Sequence, residues 1–479
     1  MTSLPRSAPA EQQVDPAAVL AFLDAVEARP DIEMHSLMVV RHGHVVAEGW
    51  WAPYSADRPH LLYSLSKSFT STAAAFAQAE GLLDLDDTVL SHFGELESEI
   101  TDPRSRSITL RHLAAMSSGH TREMLGEAAI RDPADLVRGF LLSPPDRDPG
   151  TVFAYSQPCT YALASVIQRN SGMPLTQYLR PRLFDPLGIG QVSWQKWPSG
   201  YEQGYSGLHA RTEDVAKLGQ LYLQRGRWDD TQLIAEDWVD RATSHQIGTP
   251  NEPNPDWRQG YGFQFWMARH GYRGDGAFGQ FCVILPEQDA VVATTASTME
   301  MQAVLDAMWN HLLPGLCGES APDAGLSQQR LQARLADLRL PACSADSTPK
   351  DWDNWVDEPF TVAAAAEGIA APPAMASIEV AQTADGCQLT LLEPINALTF
   401  AIGSDGWMVS TPTDRRGETI PVAASGGWWD EHTLRVEVIF LETPHRLDIG
   451  CSLPGRIAEA VWRHPPAWEV RLEHLHSPS

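Results

Sequence analysis

At 479 residues, with 43% apolar and 20% charged side chains, the chain has the length of two domains and the composition of a packed protein rather than a disordered one. A formal charge of −26 makes nucleic acid or an anionic membrane an unfavourable partner. No apolar run reaches bilayer length, residues 1–13 hold no apolar signal segment, and the six cysteines (Cys159, Cys282, Cys317, Cys343, Cys387, Cys451) lack Cys-x-x-Cys spacing, so the expectation is a cytoplasmic, reduced chain with no metal, cofactor or membrane.

Asp15-Pro16 pairs an N-cap with a proline at the first helical position, and Val19, Phe22, Leu23 and Val26 form one apolar stripe; this predicts a helix over 17–28. Two β-type runs, 36–40 and 45–50, flank Arg41-His42-Gly43-His44 and read as a hairpin. Residues 69–81 are small, proline-free and closed by Gly81, a helix with its stop. Thr109 caps a short helix ending before Gly119, residues 144–150 are loop by composition, and 160–170 and 174–183 are helical. Residues 215–223 have helical apolar spacing, 279–286 and 290–295 read as paired antiparallel strands, and 301–312 as a closing helix. A helix over 326–340 and a polar linker over 341–357 follow. Beyond them short β-type runs recur at 376–380, 387–391, 398–402, 407–409, 434–440, 446–449, 458–462 and 468–472, with Asp385-Gly386 and Asp405-Gly406 as hairpin turns. Such a series predicts a small barrel or sandwich.

Within Leu62-Tyr63-Ser64-Leu65-Ser66-Lys67-Ser68 a serine and a lysine stand three residues apart where the helix over 69–81 begins. Positions i and i+3 share a helix face, so Ser64 Oγ and Lys67 Nζ can meet beneath the first turn. A neutral lysine there could take the serine proton and free the oxygen to attack a carbonyl. Spacing alone is uninformative: of the four lysines, Lys67, Lys196 and Lys350 each end a Ser-x-x-Lys. Only the first copy has a helix behind it.

Seven pieces in order resemble the serine β-lactamase and penicillin-binding-protein superfamily, in particular its esterase-like branch. They are Tyr63-Ser64-Leu65-Ser66-Lys67-Ser68-Phe69-Thr70-Ser71, Glu80-Gly81-Leu82-Leu83-Asp84-Leu85-Asp86, Ile108-Thr109-Leu110-Arg111-His112-Leu113, Pro149-Gly150-Thr151-Val152-Phe153-Ala154-Tyr155-Ser156, Leu183-Phe184-Asp185-Pro186-Leu187-Gly188-Ile189, Gly207-Leu208-His209-Ala210-Arg211-Thr212-Glu213-Asp214-Val215-Ala216-Lys217 and Tyr261-Gly262-Phe263-Gln264-Phe265-Trp266. The resemblance spans roughly residues 15–315. It implies an α/β (α+β) fold in which a central antiparallel sheet is flanked by helices. This domain would occupy 1–318, a linking helix and linker 319–357, and an all-β domain 358–479, where some members carry a lipocalin-like barrel.

The resemblance also implies roles. Ser64 would be the nucleophile, Lys67 its base, and Tyr155 a second proton carrier facing the serine. Gln157 stands where the family's Tyr-x-Asn element has asparagine, one methylene longer. Aligning on the strand that begins at Gly279 puts Gly274-Asp275-Gly276 where the family places Lys or His, Ser or Thr, then Gly. That motif has no cation to hold a substrate carboxylate, which argues against penicillin-like substrates and for neutral esters or amides; Arg273 and His270 are the nearby cations that could restore the charge. Backbone N–H groups of Ser64 and Ala277 are the expected oxyanion hole, with Gln157, Gly274, Asp275, Gly276 and Phe278 against the substrate. Tyr54, Trp194, Trp197, Tyr205, Trp266, Tyr272 and Phe278 are candidates for an acyl pocket, while His42, His44, His120 and His209 read as surface or core histidines. The expected function is metal-free hydrolysis of small esters or amides through an acyl-enzyme on Ser64. An acyltransferase or thioesterase of the same fold, and a non-catalytic binding or sensor protein on this scaffold, are the alternatives.

Overall fold

The computed structural model describes residues 3–316, 324–343, 349, 352–356, 358–364, 372–384, 386–468 and 470–478. Cys317, most of Ser347-Thr348-Pro349-Lys350, much of the expected linker, Asp385 of one expected turn and Glu469 lie outside these residues. The chain forms two compact units: Met1–Gly49, Leu62–Thr295 and Glu300–Ala336 make the first, and Trp50–Leu61, Ala296–Met299 and Asp337–Ser479 the second.

The first unit is built on a six-stranded sheet. Its strands are β1 (Ile32–Arg41), β2 (His44–Trp50), β3 (Trp266–Met267), β4 (Tyr272–Gly276), β5 (Gln280–Leu285) and β6 (Ala290–Thr298), in the order β2-β1-β6-β5-β4-β3. β4, β5 and β6 pair antiparallel, with Gly276 opposite Gln280 and Phe281 opposite Thr294. Helices flank the sheet: α1 (Pro16–Glu27), α2 (Ser66–Ala79), α3 (Gln157–Ser171), α4 (Thr212–Leu223), α5 (Met301–Ala307) and α6 (Ala324–Ala336). α1 begins where the cap predicts, with Asp15 accepting from Ala17 N–H at 2.9 Å. It packs on β1 and α6, and α4 packs on β1 and β5. α2 is buried almost end to end, and its small residues explain how: Ala73, Ala74 and Ala77 leave room for other elements on every side. No helix among the described residues is long and apolar enough to cross a membrane.

The second unit carries a nine-stranded sheet. Its strands are β7 (Phe360–Val362), β8 (Ser377–Thr383), β9 (Gly386–Leu392), β10 (Ala397–Ile402), β11 (Met408–Ser410), β12 (Val422–Asp430), β13 (Thr433–Phe440), β14 (Arg446–Ser452) and β15 (Ile457–Trp462). Their order is β10-β9-β8-β7-β15-β14-β13-β12-β11. A bridge from Gly403 to Ser425 brings the ends of this order together, so the sheet is a nearly closed barrel. Its interior is packed with apolar side chains, including Leu389, Phe400, Val436 and Leu447. Trp355, from the short helix Asp353–Val356, is 1% exposed and sits edge-on to Trp428 at 5.6 Å.

Two sequence expectations fail in this barrel. Asp405-Gly406 does not close a hairpin, because β10 and β11 lie at opposite ends of the strand order and β11 pairs with β12; the loop spans the seam of the barrel instead. Residues 468–472 form no strand among the described residues. Leu472–His474 is a 3-10 turn, and Leu472 N–H donates to Glu393 Oε1 at 2.8 Å, anchoring the tail by a side chain rather than a ladder.

Candidate active site

Ser64 stands just ahead of α2, not inside it. Tyr63–Leu65 form a 3-10 turn, and Tyr63 takes a left-handed φ of 48°. A non-glycine residue in that region is strained and persists only where its surroundings hold it. Here the Tyr63 ring is packed edge-on against Phe278 at 5.1 Å, and Phe278 is itself left-handed, φ 70°. The two strained residues thus immediately precede Ser64 and immediately follow Ala277.

The close approach of β4 to this turn explains the two glycines of the third motif. A Cβ on Gly276 would lie 2.1 Å from Leu62 O and 3.1 Å from Leu65 N, and one on Gly274 would lie 2.5 Å from Leu65 Cδ1 and Ser68 Oγ. Only glycine lets the strand end lie against the backbone of the serine turn. Asp275 projects to the opposite face of the strand, where Arg273 Nε donates to its Oδ2 at 3.0 Å. Both side chains are buried, and Arg273 also donates to Asp256 O at 3.0 Å and lies over the Trp257 ring at 4.3 Å. Arg273 therefore does not restore a free cation to the motif: its charge is matched by Asp275. His270 packs on Trp309 at 5.1 Å.

Lys67 is the centre of the cluster. Its ammonium nitrogen lies 2.9 Å from Ser64 Oγ, 2.6 Å from Gln157 Oε1 and 2.8 Å from Tyr205 O. The side chain is 1% exposed. Lost hydration disfavours its charged form, and although Glu123 and Asp275 pull the other way, the balance lowers its pKa from 10.5 to about 7. A neutral amine has two N–H donors and one lone pair. Two carbonyl oxygens take the donors, and the lone pair is left for the Ser64 hydroxyl proton. The longer side chain of Gln157 reaches this position from the first residue of α3.

Tyr155 closes the other side. Lys67 Nζ lies 4.8 Å from the centre of its ring, and the Tyr155 hydroxyl hydrogen-bonds Ser64. Burial, helped by the charge of Asp275, pushes the phenol well above its usual range, so it is neutral near pH 7. Its ring stacks on Trp266 at 5.4 Å and meets Tyr261 edge-on at 6.1 Å.

The remaining aromatic candidates scatter. Tyr205 reaches the centre through its carbonyl, and Trp266 and Phe278 through the contacts above. Trp194 is buried and donates to Ser206 O at 2.7 Å; Trp197 meets Tyr161 edge-on at 6.0 Å. Tyr272 packs against Phe265 at 6.1 Å, and Tyr54 belongs to the second unit, where its hydroxyl donates to Thr443 O at 3.2 Å. His120 shares hydrogen bonds with Ser118 Oγ and Ser143 O, both at 2.9 Å, and His209 is buried.

Two groups of the cluster are absent from the sequence reading. One is the Tyr205 carbonyl, held in place because Gly204, φ 69°, lies so close to α3 that a Cβ there would be 2.4 Å from Ala164 Cβ; its own carbonyl accepts from Thr70 Oγ1 at 2.8 Å. The signal was Gly204-Tyr205-Ser206-Gly207, two glycines around a tyrosine. The other is Glu123, in a loop with no pattern to announce it. Its carboxylate accepts the Gln157 backbone N–H, at 3.1 and 3.2 Å, and that of Leu125 at 2.7 Å.

A family model described as Beta-lactamase matches residues 22–313. PbpX of Bacillus subtilis (strain 168), which carries a penicillin-binding-protein name, is 27% identical over 278 residues, covering 52% of this chain and 65% of PbpX. The 6-aminohexanoate-dimer hydrolase of Paenarthrobacter ureafaciens is 25% identical over 313 residues, covering 59% of this chain and 79% of the hydrolase. The chain thus spans about two thirds of the one and four fifths of the other. Among solved structures, SurE is alike in fold, with a TM-score of 0.51 over 89% of this chain and 98% of SurE at 19% identity.

Proposed function

The chain belongs to the β-lactamase family, matched over residues 22–313, and from that premise we propose that it is a serine hydrolase that cleaves small esters or amides through an acyl-enzyme on Ser64. The observation that carries this reading is Lys67: buried, with its two donor directions taken by Gln157 and Tyr205 and its third position on Ser64 Oγ at 2.9 Å. The name of the 6-aminohexanoate-dimer hydrolase supports hydrolysis.

In this reading the Ser64 proton passes to Lys67 Nζ as Oγ bonds to the substrate carbonyl carbon. Charge develops on the carbonyl oxygen between the backbone N–H groups of Ser64 and Ala277, which the strained turns on either side hold apart. The tetrahedral species collapses when the leaving group takes a proton. Tyr155, neutral and bonded to Ser64, hands its own proton over and is refilled from Lys67. Water then repeats the sequence on the acyl-enzyme. Burial that keeps the phenol neutral and the amine easily deprotonated favours the lysine over a phenolate as the resting base. Gly274, Gly276 and Phe278 shape the wall beside the carbonyl, and Gln157 orients Lys67.

The third motif supports the choice of neutral esters and amides. Its one acidic side chain, Asp275, is matched by Arg273, so no uncompensated cation is held there for a substrate carboxylate. A p-nitrophenyl ester should turn over, with kcat/KM rising as pH increases from 5 to 8 and a midpoint near 7, because protonated Lys67 is inactive and deprotonates through about 7. A chromogenic cephalosporin, whose carboxylate lacks a partner, should turn over at least about 100-fold more slowly. Faster cephalosporin than ester turnover would overturn the assignment of substrate class. An ester rate independent of pH across that range would overturn Lys67 as base.

A further inference from the structure

Glu123 stands outside the expected set of catalytic groups, yet its carboxylate meets the set at a defined point. Both its oxygens accept the backbone N–H of Gln157, the first residue of α3, and Oε1 also accepts Leu125 N–H. A carboxylate at a helix N-terminus satisfies an otherwise unpaired donor and is favoured by the helix dipole. The same Gln157 presents its side-chain carbonyl to Lys67 Nζ at 2.6 Å. One residue thus links Glu123 to the lysine: its backbone is held by the carboxylate and its side chain holds the amine. Among the described residues Glu123 makes no ion pair.

The groups facing Lys67 divide as follows. Ser64, Gln157 and the Tyr205 carbonyl bond it, and the Tyr155 and Tyr205 rings flank it at 4.8 and 5.8 Å. Cys159 on α3 is buried and neutral, with its thiol pushed up to about 12. Asp275 on β4 is matched by Arg273. Glu123 is the carboxylate left without a cation of its own, and of the charges acting on Lys67 its attraction is the largest.

We propose that Glu123 is a positioning residue of the catalytic centre. Through Gln157 it fixes the amine beside Ser64, and its negative charge favours the protonated amine, opposing the burial that disfavours it. The proposal rests on Lys67 acting as the base.

The test uses a fluorophosphonate probe, which reports activation of Ser64 without a choice of substrate. Oγ–P forms as P–F breaks, the serine proton passes to Lys67, and fluoride leaves. Second-order labelling rates are measured from pH 5 to 9 on the full-length wild type, Glu123→Gln and Glu123→Asp, each first shown to melt cooperatively. Gln keeps an oxygen for the Gln157 N–H but removes the charge. Its labelling midpoint should move to lower pH by about half a unit to one unit, with the alkaline plateau within about threefold of wild type. Asp, which keeps the charge on a shorter side chain, should restore the wild-type midpoint with a lower plateau. A Glu123→Gln midpoint equal to that of the wild type would overturn the role of Glu123 and leave Lys67 as base intact. A wild-type profile without an acid limb would overturn both.

Discussion

Replacing Lys67 with methionine is expected to cut ester turnover by about 10²–10⁴-fold, the range for loss of a general base that activates the nucleophile, while leaving the protein no less stable at pH 6. The two effects have one cause. Burial that lowers the lysine pKa from 10.5 to about 7 makes the amine a base, and it opposes folding by about 5 kcal/mol wherever the unfolded chain carries the charge and the folded one must accommodate it. Because folding lowers this pKa, the unfolded state holds more protons between pH 7 and 10.5, so stability rises with pH across that window. The penalty is complete below pH 7 and gone above about 10.5. Methionine has nearly the same length and no charge to desolvate. It leaves the Gln157 and Tyr205 carbonyls without Lys67, at about 1–3 kcal/mol each. The variant should therefore match or exceed wild type in urea unfolding at pH 6 and fall below it at pH 9.5. A loss of several kcal/mol at pH 6, unchanged at pH 9.5, would mean that the native lysine is charged and well paired.

Gly276→Ala is expected to lower kcat by about 10²–10³-fold, the effect of losing an oxyanion donor, and to slow fluorophosphonate labelling of Ser64 as well, because the phosphoryl oxygen needs the same donors. The added Cβ would sit 2.1 Å from Leu62 O. Backbone cannot yield there without moving, so the end of β4 must withdraw from the Ser64 turn and carry the Ala277 N–H with it. Overpacking of this kind also costs about 1–3 kcal/mol of stability. Gly126→Ala is the control: it stands in the short helix Leu125–Arg131 with nothing within 4 Å of an added Cβ, and should be silent or slightly stabilising. Wild-type kcat in Gly276→Ala would separate the third motif from the reaction.

The sequence carried most of the first unit because its signals were local. Asp15-Pro16 caps α1, Gly81 ends the turn after α2, and the 280–285 and 290–298 strands are β-type runs joined by a short turn. Ser-x-x-Lys was legible only through its neighbours, since three lysines end that spacing. Glu123 and the Tyr205 carbonyl stayed hidden because one is a loop side chain and the other a main-chain atom; neither leaves a periodic trace. β12 was missed for a different reason: Ala423, Ala424, Ser425, Gly426 and Gly427 give an alternating pattern almost no contrast. The stretch 468–472 misled in the opposite sense, since Trp468, Val470 and Leu472 alternate like a strand while a side-chain hydrogen bond holds the segment out of the ladder.

Intact mass after incubation with a fluorophosphonate, on wild type and Ser64→Ala side by side, tests the central claim most directly. One adduct is expected on the wild type and none on Ser64→Ala, the two proteins melting alike. An unlabelled wild type, or equal labelling of both, would contradict an acyl-enzyme on Ser64.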